Sequence, residues 1–201
     1  MTVVPTHPLR CRCGLLQGQV RIARSAVRAL CYCRDCQAYA RFLGGDLLDP
    51  AGGTEVVAMP AGSVRLEAGL DSLACLSLGP RGILRWHARC CGTPIANTPR
   101  DARVPYAGVV QACLGDEASR RASFGPVRVS VNRKSARGHP VVVPRVPAAI
   151  ALGRLGASLL GARLSGGYRQ TPFFDFPAGR PVRAPRVLTL AEREQAYRDP
   201  A

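Results

Sequence analysis

Residues 26–45 read AVRALCYCRDCQAYARFLGG, and this stretch sets the architecture. Val27, Ala29 and Cys31 alternate with Arg28, Leu30 and Tyr32, so Ala26 to Cys33 is expected to form a strand. Cys33-Arg34-Asp35-Cys36 is expected to turn tightly into a short helix, Gln37 to Leu43, stopped by Gly44-Gly45. On the strand, Cys31 and Cys33 share a face, and the turn brings Cys36 back toward them. Three soft thiol donors then sit together. Zinc takes thiolates in a tetrahedron, which leaves one position open to solvent or substrate, or filled by a distant Cys or His. The other reading of the triplet is buried free cysteine.

Outward from this stretch, short apolar runs alternate with turns. Gln17 to Ala23, Thr54 to Met59, Ser63 to Glu67, Leu73 to Leu78, Ile83 to His87 and Tyr106 to Leu114 read as strands. Pro60-Ala61-Gly62, Gly79-Pro80-Arg81-Gly82 and Cys90-Cys91-Gly92-Thr93-Pro94 read as turns. The chain of 201 residues holds 21 Gly and 17 Pro, a balance that suits short strands better than long helices. The expected fold is mainly β: a small zinc-stabilised domain of short antiparallel strands over residues 9–117. A basic extension, 118–201, packs on it and contains one or two helices. Val127 to Val131 is a further strand candidate. Ala148 to Leu164 carries a leucine stripe, Leu152, Leu155 and Leu159. Thr171 to Pro177 (TPFFDFP) reads as an aromatic anchor, and Thr189-Leu190-Ala191-Glu192 has the capping-box pattern of a last helix to about Arg198.

Cys11-Arg12-Cys13 and Cys90-Cys91 form a second candidate ligand set. Adjacent cysteines both reach one ion only where the backbone bends, and His87 is an alternative donor. Cys75 and Cys113 lie in apolar runs and read as core. Nine cysteines in a chain whose start lacks an apolar signal core point to a reduced, cytoplasmic protein that uses thiols for metal or catalysis. No stretch is apolar enough for a transmembrane span, since Arg154 and Arg163 interrupt the best candidate. The net charge is +15 and almost all of it is arginine. Residues 1–117 carry 13 basic and 9 acidic side chains, whereas residues 118–201 carry 15 and 4. No carboxylate lies between Glu117 and Asp175, so this part would attract an anionic surface.

The ordered groups Cys11-Arg12-Cys13-Gly14, Cys31-Tyr32-Cys33-Arg34-Asp35-Cys36-Gln37 and Arg85-Trp86 through Cys91-Gly92-Thr93-Pro94-Ile95 resemble the glutathione-dependent formaldehyde-activating (GFA) enzymes, whose domain also occurs in centromere protein V. The resemblance covers roughly residues 9–115. It implies a mainly β fold with two zinc sites. Cys11 and Cys13 would supply half of a structural site. Cys31, Cys33 and Cys36 would hold a more labile, reactive zinc next to a thiol substrate. The family's late motif is C-x-x-C-G-T. Here Ala88 stands at its first position, and Cys90, directly before Cys91, is the nearby replacement. Tyr32 stands where the family commonly has His.

Two functions follow as expectations. One is a zinc-dependent carbon–sulfur lyase or thiol-adduct enzyme resembling S-(hydroxymethyl)glutathione synthase, with Cys31, Cys33 and Cys36 at its catalytic centre, one or two Zn2+ and a thiol such as glutathione as substrate. Arg34 and Arg41 are candidates to bind its carboxylates. The other is a non-catalytic zinc module whose basic part contacts nucleic acid or another anionic partner. A homodimer through the C-terminal part is a third use of that segment. No Ser/His/Asp arrangement, P-loop or dinucleotide fingerprint is present.

Overall fold

The fold is that of a computed structural model, which describes residues 4–44 and 47–198. Its first half runs β1 (Thr6–Arg10), β2 (Gln17–Arg21), β3 (Val27–Cys31), α1 (Arg34–Phe42), β4 (Thr54–Pro60), β5 (Val64–Ala68), β6 (Leu73–Ser77), β7 (Leu84–Ala88), β8 (Thr93–Thr98) and β9 (Tyr106–Val110). Then follow α2 (Glu117–Phe124), β10 (Val129–Val131), α3 (Arg145–Leu164), β11 (Phe174–Asp175), β12 (Arg180–Pro181), β13 (Arg186–Val187) and α4 (Leu190–Tyr197). The architecture is mainly β, with several sheets and four helices among the described residues.

Eight strands make the principal sheet in the order β10-β3-β4-β9-β8-β7-β6-β13. Its interior pairs are antiparallel, but β10 and β13 join the two edges in parallel. A smaller antiparallel sheet, β1-β2-β5, lies over one face. Gly18 permits this layer: a Cβ there would meet the Arg65 carbonyl oxygen at 2.1 Å.

β4 explains the layering. Every residue in it is buried, as befits a strand covered on both faces. Val57 and Met59 join the core beneath the small sheet, with Leu9, Val20, Leu66, Trp86 and Ile95. Val56 and Ala58 face the other way, into a second core with Val27, Val129 and α3 residues Ala151 and Leu155. The aromatic anchor closes the first core. Phe173 is fully buried with its ring 5.1 Å from that of Trp86, and Phe174 meets the same indole edge-on.

Several elements differ from the expectation. α1 starts at Arg34, one turn early, because Cys33 itself caps it. Gly44 follows with φ +66°, while Gly45 lies outside the described residues. β9 stops at Val110 and tightens into a 3-10 turn over 111–113. The expected turn at 90–94 ends at Gly92, and Thr93 already begins β8. The chain after residue 117 supplies the body of α2 as well as α3 and α4, and its strands complete the principal sheet at both edges. α2 is fastened by a buried guanidinium: Arg28 on β3 makes a two-armed ion pair with Glu55 on β4, both bonds 2.9 Å, and also bonds Glu117.

Candidate metal centres

The first cluster sits where β3 hands the chain to α1. Cys31 is the last strand residue, Cys33 the helix cap and Cys36 the end of the first turn. The Cys36 amide donates to Cys33 Sγ at 3.3 Å. This bond is why C-x-x-C at a helix start places two sulfurs together. The three sulfurs all lie within 4.8 Å of one another, so they are positioned to bind a metal ion. Cys36 is buried, while Cys31 and Cys33 are half-buried.

Negative charge is welcome here. The start of α1 sets the positive end of the helix dipole beside the sulfurs, and its Cys36 amide donates to Cys33 Sγ. Asn132 Nδ2 donates to Cys31 Sγ at 3.5 Å, and the buried Arg85 guanidinium approaches Cys36 Sγ at 4.0 Å. Hydrogen bonds from Cys33 and then Cys36 hold the Cys31 thiol far below the ordinary range. The thiolate so favoured pushes Cys33 and Cys36 upward, and burial adds to both. A bound dication is the balancing charge that would let all three ionise.

The second cluster joins the loop after β1 to the β7–β8 turn. Cys11, Cys13, Cys90 and Cys91 again lie mutually within 4.8 Å. Their Sγ–Sγ separations are 3.5 Å for Cys11–Cys13, 3.8 Å for Cys11–Cys90, 3.3 Å for Cys13–Cys90 and 3.8 Å for Cys90–Cys91. Four thiolates on a tetrahedral zinc stand about 3.8 Å apart, so the donor set fits that ion. The adjacent pair converges because the backbone bends. Gly92 N and Cys91 N both return to the Ala88 carbonyl, with Gly92 at φ +70°. Burial and hydrogen bonds with Cys13, Cys91 and Cys11 push the Cys90 thiol up to about 12. Burial also raises Cys91, but hydrogen bonds from the Thr93 hydroxyl and the Cys13 and Thr93 backbone outweigh it and bring Cys91 to about 6.

Every cysteine expected as a ligand thus falls into one of two groups, one of three sulfurs and one of four. His87 joins neither. It lies on β7 with burial lowering its pKa, and its Nδ1 has no hydrogen-bond partner among the described residues. Cys75 and Cys113 are buried elsewhere, and burial raises both thiols. Tyr32 points away from the cluster. Its hydroxyl donates to Asp49 and accepts from the Val141 amide, each at 3.0 Å. Arg34 and Arg41 line a cleft of about 320 Å³ beside α1, with Lys134, Arg137 and Tyr197. Arg41 also bonds the Ala196 carbonyl of α4 at 3.0 Å.

Arg85 and Asn132 were not foreseeable as neighbours of the thiols. Arg85 arrives from a distant strand and Asn132 from the loop after β10. The αL conformation of Asn132, φ 57°, follows from a residue type that tolerates it.

No helix among the described residues is long and apolar enough to cross a membrane. No curated protein matches the chain. A solved structure of a Rhodobacter sphaeroides protein, a structural-genomics target, resembles it at 21% identity with a TM-score of 0.41, covering 62% of this chain and 99% of that one. That likeness is too distant to carry an argument. A family model described as a family of unknown function, DUF6151, matches residues 2–183. The chain therefore belongs to the DUF6151 family.

Proposed function

We propose that this is a zinc protein of the reduced cytoplasm with one closed and one open site, and that the open site performs thiol-adduct chemistry. The observation that carries the reading is the unequal donor count: four sulfurs in one cluster, three in the other. Four thiolates fill a tetrahedral ion and make a structural staple. Three leave a position for an incoming ligand.

A zinc ion at Cys31, Cys33 and Cys36 would supply a Lewis acid and an attachment point for a substrate sulfur. The chain's own part is to hold that point in place and stabilise negative charge. Cys33 anchors it to the start of α1, Asn132 orients Cys31, and Arg85 offsets the thiolate charge from the buried side. Lys134 and Arg34 border the adjacent cleft, where they would attract the carboxylates of a glutathione-like thiol. The reaction that suits this is addition of a thiol to an aldehyde, or its reverse. The S–H adds across the carbonyl: a carbon–sulfur bond forms, and the thiol proton ends on the former carbonyl oxygen. The resemblance to the formaldehyde-activating enzymes supports the same chemistry.

Exchange NMR with glutathione and 13C-formaldehyde tests this. Zinc-loaded protein is expected to speed adduct exchange well above the spontaneous rate, and Cys33→Ala to abolish the acceleration. Exchange no faster than buffer, from protein carrying its full zinc, would remove the enzymatic reading and leave the metal sites standing.

A further inference from the structure

α3 is apolar on two opposite sides. Its inner stripe, Ala151 and Leu155 with the half-buried Ala148 and Leu159, packs on the second core. At 3.6 residues per turn the opposite side carries Val146, Ile150, Leu160 and Leu164. These are 71, 52, 58 and 78% exposed. Only Ala and Gly fill the rest of that outer face, at 149, 153, 157 and 161, so no polar side chain interrupts it. Arg145 and Arg163 border one edge of the face and Arg154 the other.

The face continues into a groove of about 570 Å³ between α3, α2 and the segment that joins β2 to β3. Ile22, Val27, Phe124, Val146 and Ile150 give it an apolar lining, and Arg24, Arg128 and Arg154 are its charged groups. No carboxylate among the described residues lines it. Among the described residues, none of these three guanidiniums has an ion-pair or side-chain hydrogen-bond partner.

Charge decides what covers this surface. A second copy of the same helix face would set arginine against arginine, because α3 contains no acid. A polyanion such as nucleic acid would pair the arginines and leave four large apolar side chains in water. An anionic lipid surface meets both needs: acyl chains for the outer apolar face, and phosphates for the arginines at its borders, whose long stems reach outward to the headgroups. We propose that α3 and its groove dock the chain in the plane of an anionic phospholipid membrane. This mode is surface binding and needs no spanning helix.

Vesicle flotation of the full chain tests this, with mixed phosphatidylglycerol–phosphatidylcholine vesicles against pure phosphatidylcholine. The protein is expected to float with the anionic vesicles and to partition at least about tenfold less onto the neutral ones. Ile150→Glu and Leu160→Glu are each expected to cost about tenfold or more. Arg24→Gln and Arg154→Gln should each cost about fivefold. All four residues are exposed or border the groove, so the melting transition of each variant should match wild type. If an apolar variant melts early, the arginine pair still decides the matter. Equal flotation of wild type and variants would overturn the proposal. So would a lipid-independent dimer that Ile150→Glu disperses, or tight RNA binding without flotation.

Discussion

Cys33 caps a helix and presents a sulfur to a cluster with the same atom. Its Sγ accepts the Cys36 amide at 3.3 Å and lies within 4.8 Å of the Cys31 and Cys36 sulfurs. The two roles separate by substitution. In metal-free protein, Cys33→Ser keeps an N-cap acceptor, whereas Cys33→Ala loses it and should melt with about 1 kcal/mol less stability than the serine variant. Both variants should lose the metal of that site. At Phe173 the stake is packing alone. Its fully buried ring lies against Trp86, so Phe173→Ala is expected to cost about 3–5 kcal/mol in urea unfolding. The grouping of the cysteines into two clusters was legible residue by residue, because thiols one or three residues apart stay near one another in a turn or at a helix start, although Cys11 and Cys13 follow the end of β1 and Cys33 lies past the end of β3 rather than on a strand. The Cys90–Cys91 pair was only half legible. Spacing shows two adjacent thiols, but their convergence depends on the turn that Gly92 permits at φ +70°.

At the scale of elements, α4 is held by a true capping box. Thr189 accepts the Glu192 amide, and the Glu192 carboxylate accepts the Thr189 amide. Thr189→Ala should therefore cost about 1 kcal/mol and loosen α4 from α1, seen as faster amide exchange in 190–197. α2 depends on the Arg28–Glu55–Glu117 network. The hydrogen bond from Arg28 holds the Glu117 carboxyl below its ordinary value, against some burial cost. A depressed carboxyl pKa gives stability that is present above the unfolded value, about 4.3, and lost as the pH falls through the lower folded value. Glu117 is 60% exposed, so solvent screening keeps this contribution small. Urea unfolding should show a larger loss between about pH 5 and about pH 3 in wild type than in Glu117→Gln. The strands with clear turn signals were legible: β2 to β7 fall within a few residues of expectation. β8 was not, because Thr93-Pro94 reads as a turn, and a strand buried along its whole length shows no alternation. α2 was hidden by its polar composition, although Asp116 caps it and Gly125 ends it. β10 was legible as a strand, since it falls within the expected Val127 to Val131, but its pairing with β3, and the two-residue β13 with its pairing to β6, join strands remote in sequence, information that no local pattern carries.

Across the whole molecule, the basic C-terminal part and the cysteine-bearing part share one sheet. β10 extends it beyond β3 and β13 beyond β6, while Phe173 and Phe174 complete the core under Trp86. A chain cut after residue 117 should consequently fail to give a cooperative unfolding transition, a result that circular dichroism would show directly. The four-sulfur cluster ties the loop after β1 to the β7–β8 turn, segments far apart in sequence, so metal binding there should stabilise the fold as a whole, whereas the three-sulfur cluster fastens only the β3–α1 junction. The central claim is that one cluster closes around zinc with four sulfurs and the other holds it with three. The most direct test is metal content per chain, by mass spectrometry of elements, in carefully reduced wild type, Cys33→Ala and the double variant Cys13→Ala/Cys90→Ala, with cobalt substitution to report the ligands. The account predicts two zinc ions in wild type and one in each variant. The cobalt spectrum left in Cys33→Ala should be that of four thiolates, and the one left in Cys13→Ala/Cys90→Ala that of three thiolates and a lighter donor. Reduced wild type without zinc, or with a single ion that either substitution removes, would contradict it.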